Sequence, residues 1–143
     1  MAEIFNYEKN QGKERERVTA ELVKDVYLPL PEKKLGVALV GLGKYSTEQL
    51  APALQKTRHC YLAGIVTGTE TKIQEWKVKY SIADRNIYNY ENFDDIRGNK
   101  EIDILYIVLP NALHAEYVIR GAKAGKHIIC EKPMGVSVKE CDN

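Results

Sequence analysis

Four short apolar runs, none with the polar alternation of a one-sided strand, constrain this 143-residue chain most. They are "LGVALV" (35–40), "YLAGIV" (61–66), "IDILYIVL" (102–109) and "HIIC" (127–130). A strand that is apolar at successive positions is covered on both faces, which is the condition of a parallel sheet packed between helices. The segments between them have helical period. "STEQLAPALQK" (46–56) predicts a helix that Pro52 should kink or delay. "ETKIQEWKVKY" (70–80) sets Ile73, Trp76 and Tyr80 on one face. The helix after the third run puts Ala115, Val118, Ile119 and Ala122 on one face, pairs Glu116 with Arg120 on the other, and stops at Gly125. With a short extended piece near "NIY" (86–88), a brief helix around "NFDDI" and a capping box at "SVKE" (137–140), the order is β-α-β-α-β-(α)-β-α-β-α. That order predicts an α/β fold, a doubly wound and mostly parallel sheet with helices on both faces.

Residues 1–34 differ from the rest of the chain. They hold seven basic and seven acidic residues and end in "LPLPEKK", so they read as a polar N-terminal arm. Val18, Leu22 and Val26 recur every fourth residue and allow a short amphipathic helix there. The domain proper is expected over 35–143. A formal net charge of +1, with 29% charged residues, gives no electrostatic case for nucleic acid or membrane as a partner. No apolar run approaches the roughly 18 residues of a membrane span. Cys60, Cys130 and Cys141 fit no metal-ligand spacing and read as free thiols of a reducing, cytoplasmic compartment; the three histidines are equally scattered, and no metal is expected.

The chemistry gathers where strands end. In an open α/β sheet, ligands bind beyond the carboxyl ends of the strands where the strand order reverses. "VGLGKYS" (40–46) follows the first strand: Gly41 and Gly43 supply two glycines of a G-x-G-x-x-G turn, with Ser46 in place of the third, and a helix N-terminus then faces the phosphates of a dinucleotide. A glycine turn in an unrelated α/β protein is the competing reading. An NAD enzyme usually ends its second strand with an acidic residue for the ribose 2′-hydroxyl. Here "VTGTETK" offers Thr67 and Gly68, with Lys72 one turn into the next helix; a hydroxyl and a cation suit the 2′-phosphate of NADP, whereas Glu70 speaks for NAD. In "VLPNALH" (108–114), Asn111 can cap the following helix or bind a ligand, and His114 lies in its first turn. "HIICEKPMG" (127–135) places Glu131 and Lys132 at a strand's end, before Pro133 stops the ladder.

"GVALVGLGKYS", "RNIYNYENFD" and "LYIVLPNALHAEYVIRGAKAGKHIICEKPM" together resemble the cofactor-binding domain of the glucose–fructose oxidoreductase, inositol dehydrogenase and rhizopine-catabolism oxidoreductase family, over about residues 29–143. The joint presence of "LPNxxH" and "EKP" carries the resemblance. It implies that Gly41, Gly43, Lys44 and Tyr45 cradle the pyrophosphate, and that Thr67 and Lys72 match a Ser and a Lys that hold the 2′-phosphate in glucose–fructose oxidoreductase. It implies Tyr90 near the adenosine, and Leu109, Pro110, Asn111 and His114 beside the nicotinamide half. Glu131 would bond the nicotinamide ribose, and Lys132 would reach both the carboxamide and the substrate hydroxyl as the catalytic cation. The Lys132–Pro133 peptide is implied to be cis.

The expected protein is therefore an NADP-dependent oxidoreductase, with NAD as second choice, acting on a sugar or polyol. In the family the proton acceptor and substrate floor come from a second, α+β domain that also builds much of the oligomer interface, so a full-length parent is expected to be a homo-oligomer. This chain reads as the cofactor half alone. The alternative is a dinucleotide-binding regulator or scaffold of the same fold without catalysis; the retained Lys132 speaks for the enzyme.

Overall fold

The computed structural model describes residues 33–142. The N-terminal arm and the helix suggested by Val18, Leu22 and Val26 lie outside these residues. Five strands form one sheet: β1 (Leu35–Val40), β2 (Cys60–Val66), β3 (Ile87–Tyr88), β4 (Ile104–Ile107) and β5 (His127–Cys130), in the spatial order β3-β2-β1-β4-β5. Every pairing is parallel. The chain runs outward from β1 to β3 and then crosses back to place β4 on the other side of β1. The strand order thus reverses between β1 and β4, and it is beyond the carboxyl ends at such a reversal that open α/β sheets hold ligands in a crevice.

The periodicity of the sequence becomes two cores. Ala38 and Val40 of β1 pack with Phe93, Leu105, Ile107 and Tyr117 on one face; Leu39 packs with Ile65, Trp76 and Ile82 on the other. Alternation along β2 is interrupted by a bulge, because Val37 pairs with Leu62 but Ala38 pairs with Gly64, leaving Ala63 as the extra residue. Gly64 is needed beside it: a Cβ there would stand 2.6 Å from the Asn86 carbonyl oxygen.

Helix α1 opens with a π-helical segment, Ser46–Leu50, and continues as an α-helical turn, Ala51–Leu54. Pro52 does not delay the helix, since the chain is already helical at Lys44; a widened turn stands before it instead. Pro52 has no N–H for the Glu48 carbonyl and its ring crowds that group, so the preceding turn widens and the Ala51 N–H bonds back to the Ser46 carbonyl. Helix α2 (Glu70–Tyr80) buries Trp76 as expected and stops at Ser81 in the left-handed region. Helix α3 (His114–Lys123) buries a stripe shifted from the one expected: His114, Tyr117 and Gly121 are buried, Val118 packs against the core as expected, and Ala122 is exposed. The reason is close approach. A Cβ on Gly121 would stand 2.6 Å from the Ile128 Cδ1 and 2.9 Å from the Leu105 Cδ1, so the helix lies against β4 and β5 along its smallest residue. A short helix α4 (Val138–Cys141) is capped by Ser137, which accepts from the Glu140 N–H, while the Glu140 carboxylate accepts from the Val136 N–H.

Two strands differ from expectation. β4 is only the centre of its apolar run: Asp103 before it still bonds through its backbone to Gly36 and His127 and adds its carboxylate to the Gly36 N–H, and past Val108, whose N–H bonds to the Val40 carbonyl, the chain leaves the ladder. β5 is the sheet's outer strand among the described residues, so His127 and Ile129 are exposed rather than covered. Among the described residues no helix is long and apolar enough to cross a membrane.

Candidate functional site

The crevice is built from three turns, one after each of β1, β4 and β5. In the first, Gly41 has φ +94°, and a Cβ would stand 2.6 Å from the Val108 carbonyl oxygen and 2.9 Å from the Leu109 Cδ2. The two turns meet closely there, and only glycine permits both the torsion and the contact. Ser46 is wholly buried and its hydroxyl donates to the Gly41 carbonyl at 2.7 Å. The residue standing in for a third glycine therefore locks the turn to the helix it opens. Gly43 is the reverse case: no atom lies within 4 Å of where its Cβ would be, and the turn is open on that side. An open glycine beside the uncapped first N–H groups of a helix is a cradle that a pyrophosphate fits and a methyl group would fill. Lys44 and Tyr45 are exposed at its lip; the Lys44 ammonium is 4.0 Å from the Glu48 carboxylate.

Beyond β2 lies a hollow of about 250 Å³ walled by Thr67, Gly68, Glu70, Ile73, Asn89 and Tyr90, with Glu91 at its rim. Its size suits a nucleoside better than a whole dinucleotide. Tyr90 stands edge-on to Tyr117, ring centroids 5.7 Å apart, and burial followed by Tyr117 pushes its hydroxyl pKa up. Thr67 is buried; its hydroxyl oxygen accepts from the Thr69 N–H at 3.2 Å and retains its own hydrogen to donate. Lys72 does not point into open solvent: its ammonium donates to the Leu42 carbonyl at 2.6 Å. That bond ties the cation to the glycine turn and leaves it two further N–H donors to give. Glu70 is exposed and engaged with Gln74 at 3.3 Å.

The turns after β4 and β5 are joined by His114, which is 1% exposed. Its Nδ1 lies 2.6 Å from the Pro133 carbonyl oxygen and its Nε2 lies 2.7 Å from the Leu109 carbonyl oxygen. His114 is thus a tie between the two turns, with both ring nitrogens occupied. Pro110 and Asn111 are exposed in the turn after β4, and Asn111 caps neither the turn it opens nor α3. Leu109 is half-buried against the Gly41 turn.

Glu131 is half-buried, Lys132 is exposed, and the peptide linking Lys132 to Pro133 is cis. The Glu131 N–H bonds to the Ile107 carbonyl, so the ladder extends up to the two charges. Sequence reasoning missed one neighbour. Tyr106, on β4, donates its hydroxyl to the Glu131 Oε1 at 2.6 Å. Burial first, then this bond and the carboxylate's charge, with a smaller share from Tyr45, hold the Tyr106 hydroxyl protonated well above a tyrosine's ordinary range. The available signal was a lone tyrosine in an otherwise aliphatic strand. The sequence-predicted residues thus fall into two groups. Thr67 and Tyr90 wall the β2 hollow and Lys72 reaches back to the Leu42 carbonyl, while Lys44, Tyr45, Leu109, Pro110, Asn111, Glu131 and Lys132 belong to the turns that follow β1, β4 and β5.

A five-stranded parallel sheet with this glycine turn at its switch point is a dinucleotide-binding domain of Rossmann type. The profile of the oxidoreductase family with an NAD-binding Rossmann fold matches residues 35–143, and the chain belongs to that family of glucose–fructose oxidoreductase, inositol dehydrogenase and rhizopine-catabolism proteins. Among its relatives is a D-xylose 1-dehydrogenase [NADP(+)] of Haloarcula marismortui, 33% identical over 105 residues, which are 73% of this chain and 29% of that protein. Among solved structures, an aldose-aldose oxidoreductase from Caulobacter crescentus complexed with glycerol superposes with a TM-score of 0.75 and 42% identity, covering 77% of this chain and 33% of that one. A scyllo-inositol dehydrogenase from Lactobacillus casei with bound NAD(H) and scyllo-inositol shares the fold, with a TM-score of 0.67 and 24% identity over 77% of this chain and 31% of that one. The chain spans about a third of the length of these relatives.

Proposed function

We propose that residues 35–143 hold NADP(H) at the β1/β4 switch point of an oxidoreductase that acts on a sugar or polyol hydroxyl, with Lys132 as its catalytic cation. One observation carries the reading: the open Gly43 turn and the Glu131–Lys132 pair stand at the ends of strands on the two sides of one crevice. A nicotinamide held there supplies the acceptor or donor of a hydride. The chain's own contribution is positioning and charge. The Gly41–Gly43 turn and the start of α1 seat the pyrophosphate, Thr67 and Lys72 receive a 2′-phosphate, and Glu131 takes the nicotinamide ribose. The Lys132 ammonium stabilises oxyanion character on the substrate hydroxyl oxygen and orients its carbon; a preorganised cation acts most where charge develops. The names of the relatives, a dehydrogenase of D-xylose among them, support a carbohydrate hydroxyl as the reacting group.

Fluorescence titration with NADPH and NADH tests the cofactor half of this reading. NADPH should bind more tightly, and Lys72→Ala should weaken NADPH by about tenfold while leaving NADH little changed, the scale of one charge-assisted bond. Equal affinity for both cofactors would refute the NADP assignment. Lys132→Met, in a protein carrying these residues together with a substrate domain, should lower kcat by about 100-fold or more with cofactor affinity within about tenfold. An unchanged rate would make Lys132 a surface charge.

A further inference from the structure

The carboxylate assigned to the nicotinamide ribose does not stand alone. Tyr106 pairs with Ile129 across the β4–β5 ladder. Side chains two apart on a strand share a face, so Glu131, two residues beyond Ile129, projects on the face that Tyr106 occupies. The phenol is long enough to reach one step up the neighbouring strand, and its hydroxyl donates to the Glu131 Oε1 at 2.6 Å. The ring is held by the apolar cluster of Leu39, Leu42, Ile65 and Trp76, so the hydroxyl is placed by packing and not by chance rotation. Tyr45, at the lip of the glycine turn, comes close enough to act on the same hydroxyl.

We propose that Tyr106 is the positioning residue for Glu131: by occupying Oε1 it fixes the carboxylate's plane and leaves the second oxygen to accept from the nicotinamide ribose diol. The proposal rests on the dinucleotide reading above. A carboxylate has about four lone-pair sites, so one short bond to a tyrosine orients it without exhausting it. An unheld glutamate at a half-exposed strand end would sample several rotamers, and binding would carry the entropic cost of choosing one. Tyr106 removes that choice in advance. It also links the turns, since Tyr45 follows β1, Tyr106 lies on β4 and Glu131 follows β5.

The test uses the full 143-residue chain and Tyr106→Phe, which removes one oxygen and keeps the ring. Tyr106→Phe should weaken both NADPH and NADH by about tenfold, and should leave adenosine 2′,5′-bisphosphate, which lacks the nicotinamide ribose, bound as before. In a Glu131→Gln background the same change should add little, because the two act through one interaction. Equal weakening of the bisphosphate, or full additivity with Glu131→Gln, would mean that Tyr106 only supports the fold and would overturn the proposal. Normal dinucleotide binding by Tyr106→Phe would overturn it with the dinucleotide reading intact; failure of the unaltered chain to bind any of the three would overturn both. Carbon-13 tyrosine spectra guard against a misfolded variant. In a chain that keeps Tyr106, Glu131→Gln should shift one half-buried tyrosine signal and move its ionisation to lower pH, and signals indifferent to that substitution would refute the contact.

Discussion

Gly41 and Gly43 sit two residues apart in one turn, and the structure separates what each is for. Gly43→Ala puts a methyl where no atom lies within 4 Å, at a backbone angle outside the left-handed region. Its effect on folding should be small: loss of glycine's freedom in the unfolded chain favours the folded state by roughly 0.4–1 kcal/mol where the conformation is compatible. The methyl, however, fills the open side of the cradle. Cofactor affinity should fall by at least tenfold, about 1.4 kcal/mol, because the backbone can no longer approach the pyrophosphate. Gly41→Ala is the control with the opposite profile. At φ +94°, with a Cβ 2.6 Å from a backbone oxygen that cannot rotate away, it combines the torsional cost of an L residue, about 1–2 kcal/mol, with overpacking of about 1–3 kcal/mol. Urea denaturation of the three proteins gives the stabilities and fluorescence titration with NADPH gives the affinities. Gly43→Ala should lose binding at unchanged stability, and Gly41→Ala should be destabilised by about 2–5 kcal/mol. Should Gly43→Ala bind NADPH like the unaltered chain, the phosphate site would lie elsewhere and the reasoning from the glycine turn would fail.

Two further outcomes concern side chains away from the cradle. His114→Ala removes the ring that lies between the Leu109 and Pro133 carbonyls, with at least one N–H bond to them, and opens a cavity under α3, so it should destabilise by about 2–5 kcal/mol in urea denaturation; a loss below about 1 kcal/mol would show that the tie is dispensable. Glu101 receives two bonds from the Arg85 guanidinium, at 2.6 and 3.2 Å, and one from Asn86, and these hold its carboxyl below its ordinary range. A depressed folded value stabilises above the unfolded pKa of about 4.3 and is lost as pH falls through the folded one, so Glu101→Gln should flatten the acid side of a melting-temperature profile below about pH 4.

Elements whose identity depends on neighbours in sequence were legible. β1, α2 and β5 begin and end where their runs of apolar residues or helical period do. The glycine turn and the Glu131–Lys132 pair were legible for the same reason, being short motifs at strand ends. What was not legible depends on partners distant in sequence. The buried stripe of α3 is centred where Gly121 meets Ile128 and Leu105, and apolar count alone keeps Val118 but adds Ala122, which is exposed. The Asp103 carboxylate accepts from the Gly36 N–H, 67 positions away, which no local pattern reveals. Asn111 and His114 look alike as polar residues beside a helix start, yet one is exposed and the other is buried between two carbonyls. Tyr106 passes as one more residue of its strand because its partner lies 25 positions away.

The strand order also sets when the crevice can exist. Pairing β1 with β2 brings together residues such as Leu35 and Cys60, whereas pairing β1 with β4 joins Val37 to Ile104. Closing the longer segment costs about 0.9 kcal/mol more chain entropy, and the β1–β4 seam is expected to close after the β1–β2 seam. Both walls of the nucleotide crevice meet at that later seam. A partly opened molecule that keeps β1, β2 and β3 together but releases β4 has no dinucleotide site at all. Bound cofactor would then act as a bolt across the longest loop, and amide exchange at β4 should slow with ligand more than exchange at β2.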